Sequence, residues 1–429
     1  MQTLVEGIPI HTERRAGSAA EFLSPSMVGQ VKVYPAVAST QVGAGAIGGS
    51  IDFTLRTPQS PSLALRYGTN NDYRELLVSG IHEASNISWM VTHQHANNSK
   101  DGRANPIEDR FEQQSLVLRK QSGLGGVREA LLLYSAANNI AKASADDPSS
   151  RFTLYPSNEH ALAKVVFNWH NATVYAHNSQ LTTHITRPSR QFNALDSTVA
   201  TVAAEDWAIH WRTGIDARLG VRVDEREAIS AAAPSVLEQR ILDAQQWELY
   251  GALDTSKRVA SGLLAAGARL SATTQSSNLT DNTEQQSNVS AFVGYRYSLS
   301  PTWALSGYLS HGYRVPSLTE RFYRGITPRG QVLGDPALRS ELANNLDVSL
   351  HYQGRSYQEA SYQGVSSAFY LSVFHHDIKH YIERISVSQS LQQYRNLDRA
   401  KISGVNYQLS QRFSVVGLDA EFKLGGQWL

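Results

Sequence analysis

Few residues in this 429-residue chain have the type and spacing to do chemistry, and they lie far apart. His93 and His95 stand two apart, and His375-His376-Asp377 runs close to His380; imidazoles at such density could ligate a metal ion. On a strand His93 and His95 would share one face, whereas His375 and His376 would point to opposite faces. A structural or pore-lining role is therefore the preferred reading for all of them, and no metal site is expected. Gly43-Ala44-Gly45-Ala46-Ile47-Gly48 formally matches G-x-G-x-x-G, but a dinucleotide fingerprint must follow a strand and open a helix. Here the strand-like run Ser50-Ile51-Asp52-Phe53-Thr54-Leu55 follows directly, so a nucleotide cofactor is not expected. The third group is cationic: Arg321, Tyr323, Arg324 and Arg329 lie between Pro316 and Gly334, and His11, Arg14 and Arg15 lie near the N-terminus. Cations beside an aromatic ring are what capture of an anionic chelate would need, through charge-assisted hydrogen bonds and stacking. No catalytic constellation emerges, so an enzyme is not expected. The chain has no Cys, which excludes disulfides, thiolate metal sites and cysteine nucleophiles.

The elements that must position these residues show themselves through periodicity. The formal charge of +1 is spread along the chain, with no basic tract to suggest nucleic acid. No stretch approaches the roughly 18 to 20 apolar residues of a membrane-spanning helix. The dominant signal is period-two alternation. From 289 to 299, Val289, Ala291, Val293, Tyr295, Tyr297 and Leu299 alternate with Ser290, Phe292, Gly294, Arg296 and Ser298. After the turn Ser300-Pro301-Thr302 the pattern resumes with Trp303, Leu305 and Leu309, and it returns at Leu346, Val348, Leu350 and Tyr352. Comparable alternation runs through 64–67, 74–81, 87–95, 114–119, 128–134, 162–168, 172–180, 207–223, 246–253, 259–272, 367–376 and 402–412.

The connections divide by length. Short ones are Gly68 to Asn71, Glu83 to Ser85, Trp169 to Asn171 and Asp254 to Lys257; long polar ones are 97–109, 138–160, 184–195, 225–243, 274–287 and 314–341. Membrane barrels have short turns on the periplasmic side and long loops outside, and only a closed barrel lets strands satisfy every backbone group in lipid. The 19 Tyr and 7 Trp suit the aromatic girdles of such a wall as well as an ordinary β core. The pattern thus predicts an all-β, antiparallel membrane barrel of roughly 17 strands after residue 61, too many for an ordinary open sheet. A β-propeller would require an internal repeat of roughly 40 to 50 residues, and none is found.

Two regions carry a family resemblance. Val5-Glu6-Gly7-Ile8-Pro9, the run Val28 to Val33, and Gly43 to Asp52 with Gly45, Gly48 and Gly49 are similar to the closing part of the plug of TonB-dependent outer-membrane receptors. The chain departs from that pattern at Tyr34-Pro35-Ala36, where an Arg-Gly-Pro-like turn is usual, and at Asp52, where Asn is commoner. Downstream, His311-Gly312-Tyr313-Arg314-Val315-Pro316-Ser317-Leu318-Thr319-Glu320 resembles the family's G-F-R-A-P-S-L-x-E stretch. Gly334-Asp335-Pro336-Ala337-Leu338 resembles its G-N-P-N-L box, and Tyr394-Arg395-Asn396-Leu397 with Ile402-Ser403-Gly404-Val405 resembles Y-x-N-x-x-x-A-x-I-x-G-V-E.

The resemblance implies residues 1–56 as the C-terminal half of a plug, 57–61 as a linker, and 62–429 as an incomplete transmembrane barrel, since the family has about 22 strands around a plugged lumen. It implies a bacterial outer-membrane receptor that imports a scarce metal complex, above all a ferric siderophore. It also implies two partners: TonB, whose docking box is not visible in this chain, and the lipid and lipopolysaccharide of the membrane. Haem receptors of the family usually carry a His between the two downstream boxes, and residues 317 to 333 contain none. Cobalamin or another chelate, and a passive porin or secretion-type barrel, are the alternatives. The 17 strands are expected to leave the wall open and the chain unable to be energised alone. The cations already named are the expected ligand contacts; His11, Arg14 and Arg15 would reach the ligand from the plug. The same loop charges would also suit solubility or lipopolysaccharide contact.

Overall fold

A computed structural model describes residues 2–10, 20–34, 39–43, 45–121, 124–143, 152–169, 171–187, 190–205, 209–211, 215–231, 239–327, 330–358, 363–415 and 418–429. Four strands form an inner sheet: β1 (Gln2–Val5), β2 (Ile8–Pro9), β3 (Val28–Tyr34) and β4 (Ser50–Leu55), in the order β2-β1-β4-β3, with the short helix α1 (Ser39–Val42) between the last two. The β1–β2 hairpin turns at Glu6 and Gly7, both at positive φ (55° and 79°), which is why a Gly stands there.

The rest of the chain is wall. Its strands are β5 (Ser62–Gly68), β6 (Tyr73–His82), β7 (Ile87–Ala96), β10 (Phe111–Gln121), β11 (Val127–Ala143), β12 (Phe152–Phe167), β13 (Thr173–Arg187), β14 (Arg190–Glu205), β15 (Ile209–Trp211), β16 (Ile215–Ala231), β17 (Gln239–Val259), β18 (Gly262–Ser277), β19 (Asn282–Ser298), β20 (Trp303–Arg314), β21 (Arg324–Thr327), β22 (Gly330–Leu333), β23 (Glu341–Gln358), β24 (Gln363–Ser386), β25 (Leu391–Val415) and β26 (Leu418–Trp428). Two further short strands, β8 (Ser99–Lys100) and β9 (Pro106–Ile107), pair only with each other in the connection after β7. Among the described residues the ring holds 20 strands, of which β15, β21 and β22 are short pieces beside direct pairings of β14 with β16 and β20 with β23, which leaves 17 full staves. Consecutive staves pair antiparallel; the exceptions are a three-residue parallel contact of β22 with β25, the pairing of β1 with β4, and the closure of β26 on β5, which an odd number of staves makes parallel. The expectation of an open wall is not met: the ring order returns from β26 to β5. Beside that seam, Leu63, Leu65 and Tyr67 on one side and Trp428 on the other are largely exposed.

Burial is inverted relative to a water-soluble protein. On β20, β23, β24 and β25 the register stacks outward side chains in rows: Trp303–Tyr352–Phe369–Leu409, then Leu305–Leu350–Leu371–Tyr407, Gly307–Val348–Val373–Val405, and Leu309–Leu346–His375–Ser403. Leu309, Leu346, Val348 and Val373 are exposed on the outer surface, while Ser306, Ser310, Asn345, Ser349 and Ser372 are buried on the inner one. Greasy outside and polar inside is the arrangement lipid imposes on a barrel. Trp303 lies 4.8 Å from the Tyr352 ring and 6.5 Å from Phe369, an aromatic belt at one rim.

The staves run further than the alternation suggested. Most of the expected long connections, 138–160, 184–195, 225–243 and 274–287, are largely strand: β11 reaches Ala143, β14 occupies 190–205, and β18 turns into β19 over 278–281. Strand extending past the lipid needs no apolar face, so its sequence reads as loop. The expected strand 207–223 is instead two, β15 and β16, and the turn expected at Asp254 to Lys257 falls at 260–261. Antiparallel order also puts the short turn after Gly68 on the same side as 97–110, where Asn97 donates to the Asn71 carbonyl at 2.8 Å.

The inner sheet lies in the lumen against one arc of the wall. Val5, Ile8, Ile10, Phe22, Leu23, Met27 and Leu55 form one buried cluster with Leu77, Met90, Val117, Leu131, Leu133, Leu162, Tyr175 and Ala203. Along this arc Leu77, Met90, Val117, Leu131, Leu133 and Leu162 put apolar side chains on the inner face beside the polar Gln113, Arg119 and Ser135, so the alternation expected over 128–134 is blurred at Leu131-Leu132-Leu133.

Candidate functional site

The insert is tied to the wall by polar contacts as well as by apolar packing. Glu6 accepts a hydrogen bond from the Leu55 backbone N–H at 2.6 Å and meets the Arg119 guanidinium at 2.5 Å, while Arg119 also reaches Glu129 at 2.6 Å. Lys164 donates to the Glu6 carbonyl at 2.7 Å. Gln113 and Ser135 both donate to the Phe22 carbonyl, at 2.6 and 2.7 Å, and the Phe22 ring stacks on His160 at 4.0 Å. Asp52, where the pattern would have Asn, accepts from the Gly7 backbone N–H at 3.0 Å and so fixes the β1–β2 turn. Burial pushes its carboxyl above the usual carboxylate range, and the hydrogen bond from Gly7 only partly opposes this.

On the long-loop side of this contact, insert and wall part to leave a cavity of about 970 Å³. Leu23, Val28, Val31 and Phe53 line it from the insert; Tyr73, Phe111, Ala137 and Ile140 line it from the wall. Tyr73 and Phe111, the first residues of β6 and β10, lie 6.4 Å apart with tilted rings. The polar lining consists largely of amides. Gln94 donates to the Tyr73 hydroxyl at 2.9 Å and to Glu75 at 3.1 Å, and Ser24 of the insert also donates to Glu75 at 3.1 Å. Glu21 is the one charged residue among the described lining residues, and Lys142 covers it at 2.7 Å. A cavity of this size, mostly apolar with a few convergent polar groups, suits an organic ligand.

The residues expected from sequence to touch ligand do not gather there. His11, Arg14, Arg15 and Arg329 lie outside the described residues. Arg321 is 3% exposed rather than an open cation: it sits in helix α2 (Leu318–Phe322) and donates to the Leu338 carbonyl at 2.6 Å. Tyr323 is buried with Leu318, Phe322 and Val332 against Ala228, Ile241, Leu242 and Ala244 of the wall. Sequence placed both on a solvated loop; the loop instead folds inward and packs on β17. Arg324 is exposed.

The motif residues turn out to hold that loop down. Ser317 and Glu320 cap α2 reciprocally, at 3.1 and 2.7 Å. Arg314 bridges Glu320 at 2.8 Å and Glu341 at 2.7 and 2.8 Å. Tyr313, fully buried, shares a 2.5 Å hydrogen bond with Ser271, and the Pro316 carbonyl accepts from Gln275 at 2.7 Å. Gly334 donates to the Tyr323 carbonyl at 2.7 Å, the Asp335 N–H donates to the Glu320 carbonyl at 3.0 Å, and Pro336 follows in the turn. Asn396 holds both the carbonyl and the N–H of Arg339. A Cβ on Gly404 would stand 2.8 Å from the Phe374 ring.

In the glycine run, Gly43, Gly45 and Gly49 have positive φ. Gly43 faces the Arg269 guanidinium, which stacks on Tyr250 at 3.4 Å and pairs with Glu248 at 3.0 Å. Gly48 is exposed.

The histidines are placed by register. His93 lies opposite the outward Leu76, so it and His95 face outward rather than into the lumen. His375 faces outward with Ser403 at 2.7 Å, and His376 lies 3.8 Å from Asp347.

Comparison with known proteins locates this architecture. A model of the β-barrel of TonB-dependent receptor-like proteins matches residues 49–428. An iron-regulated outer membrane virulence protein of Vibrio cholerae is 32% identical over 92 residues, 21% of this chain and 13% of that protein. The chain thus matches only a small part of that relative's length. Among solved structures, the Serratia marcescens hemophore receptor HasR, in complex with its hemophore HasA and heme, superposes with a TM-score of 0.75 at 13% identity, covering 100% of this chain and 74% of HasR. The siderophore receptor PirA of Pseudomonas aeruginosa gives 0.65 at 14% identity, covering 100% and 83%.

Proposed function

The chain belongs to the TonB-dependent receptor family, an outer-membrane family, and on that premise we propose that it serves import of a metal complex, above all a ferric siderophore. The observation that carries this reading is the cavity of about 970 Å³ between insert and wall on the loop side. Its apolar and aromatic lining suits an organic chelate better than a bare ion, whose capture would call for converging charged ligands. PirA is a siderophore receptor by name and HasR is seen in complex with its hemophore and heme; none of the cavity's described lining residues is a His, which favours the siderophore over haem.

On this reading residues 1–56 act as plug, 57–61 as linker and 62–429 as wall. Ligand settles between Phe53 of the insert and Tyr73 and Phe111 of the wall, with Gln94 and Gln113 supplying hydrogen bonds. Arg324, with His11, Arg14, Arg15 and Arg329, would meet an anionic ligand on its way in. Binding need only discriminate. Passage requires the insert to move, and its contacts with the wall, from Glu6–Arg119 to Phe22–His160, set the work that TonB must deliver. The filled arc of lumen argues against a passive porin.

The test is a titration of ferric siderophores, haem and Cu(II) against the purified protein, read by tryptophan quenching, beside conductance in planar bilayers. Saturable binding of one ferric siderophore with little conductance is expected. Large steady conductance with no chelate bound would turn the reading to a porin.

A further inference from the structure

We propose that a second lumen cavity, at the turn end of β19, β20, β23, β24 and β25, is a weaker seat for an anionic ferric chelate that has passed the insert. The proposal rests on the reading that the chain carries such a chelate. Two rows of inward side chains build the cavity, which measures about 510 Å³. The row nearest the turns is Ser298–Ala304–His351–Tyr370–Gln408, and the next is Arg296–Ser306–Ser349–Ser372. The short turn Ser300-Pro301-Thr302 closes one rim. All the described lining residues belong to the wall, and none of them lines the cavity between insert and wall. The turns lie opposite the long 97–110 and 315–340 connections, so the cavity faces the periplasmic end.

Its chemistry is set by one uncommitted cation. Elsewhere on the lumen wall Arg119 meets Glu6 and Glu129, Arg222 meets Asp224 and Glu248, and Arg314 meets Glu320 and Glu341. Arg296 is the one charged group among the described lining residues, is exposed, and forms no ion pair or hydrogen bond among the described residues. Its forked donors are left for carboxylate or phenolate oxygens. The His351 and Tyr370 rings stand 5.0 Å apart in the same cavity, and His351 Nε2 engages Ser349 Oγ at 3.0 Å, which fixes the imidazole. With a single imidazole and no carboxylate in the described lining, a bare metal ion finds no ligand set, so the metal must arrive already chelated. The volume is that of a small-molecule site. One guanidinium open to water binds weakly, as an exit seat must if it is to let its cargo go.

The test counts bound iron by equilibrium dialysis of the purified Tyr73→Ala/Phe111→Ala protein in detergent, in which the rings of the loop-side cavity are gone. The probes are the triply negative iron(III) complex of a hexadentate tris-catecholate, the uncharged iron(III) complex of a hexadentate tris-hydroxamate, and inorganic phosphate. Residual saturable binding of the anionic complex is expected. Adding Arg296→Gln should weaken it on the order of tenfold, Arg296→Lys should largely keep it, and Gln408→Lys should tighten it. A gain in Gln408→Lys cannot come from misfolding, so that arm decides even if Arg296→Gln does not fold. The uncharged complex should bind on the order of tenfold more weakly than the anionic one. No residual binding, indifference to Arg296→Gln and to the charge of the complex, or displacement by equimolar inorganic phosphate would overturn the proposal and leave the loop-side cavity's role standing. Parent-like affinity in the Tyr73→Ala/Phe111→Ala protein, lost on adding Arg296→Gln, would instead overturn that role and support this seat.

Discussion

Glu6, at the turn of the inner sheet's hairpin, and Arg119, on the wall, meet at 2.5 Å with side chains only 7% and 6% exposed. Burying two charges is costly, and removing one partner strands the other without water. Arg119→Ala would leave both Glu6 and Glu129 uncompensated and should destabilise the seated insert by about 3 to 5 kcal/mol. Glu6→Gln keeps an acceptor for the Leu55 N–H and leaves Arg119 its Glu129, so it should cost clearly less. Limited proteolysis of the insert in graded denaturant would rank the two; equal losses would mean the pair is not the seat's main polar contact.

The glycine run separates by conformation. Gly43 combines a φ of +93° with an Arg269 nitrogen 2.7 Å from where a Cβ would stand, while Gly48 is exposed and free of positive φ. Gly43→Ala should therefore cost about 1 to 3 kcal/mol of insert stability, and Gly48→Ala about 0.5 kcal/mol or less. The same denaturant series would show it.

These two sites also mark what sequence could and could not reveal. Alternation is plain at Val289 to Leu299 and Leu346 to Tyr352 because those staves have lipid on one side and polar groups on the other. It is blurred at Leu131-Leu132-Leu133, within the strand expected over 128–134, where the insert covers the inner face, and it is absent at 190–205, where no clear alternation marked the stave. The motif residues Arg314, Pro316, Gly334 and Asn396 were legible as a set, but their work of fastening a loop was not. Arg321 and Tyr323 looked like open ligand contacts because burial of a charged loop residue depends on a partner, the Leu338 carbonyl, that spacing does not announce. Tyr73 and Phe111 left only a faint trace, an aromatic at the first position of each stave beside a polar connection.

Asp52 gives the insert a pH dependence. Its carboxyl is held above the ordinary range mainly by burial. A raised folded-state pKa means that the group contributes stability that is complete below the unfolded pKa and is lost as pH rises through the folded one. Asp52→Asn keeps the acceptor for the Gly7 N–H and removes the ionisation. The variant should lose less stability than the parent between pH 4 and neutrality, measured as denaturation midpoints; parallel profiles would show that Asp52 is not the source.

The outer face should reject charge. Val348 lies in the middle of the apolar rows, and Val348→Lys should cost about 2 to 4 kcal/mol of barrel stability in lipid. Gln408 lines a polar lumen cavity of about 510 Å³, so Gln408→Lys should change stability by about 0.5 kcal/mol or less. Urea unfolding in vesicles would separate them, and equal costs would contradict the assignment of faces.

The central claim is that the ligand lies in the cavity between insert and wall and not on the cationic loop. It is tested by titrating the bound ferric siderophore against Tyr73→Ala/Phe111→Ala and, separately, Arg324→Gln. The account predicts that loss of the two rings, each worth about 1 kcal/mol or more in an aromatic contact, weakens binding by at least about tenfold while loss of Arg324 changes it much less. Unaltered affinity in the double variant, with loss on removing Arg324, would contradict it.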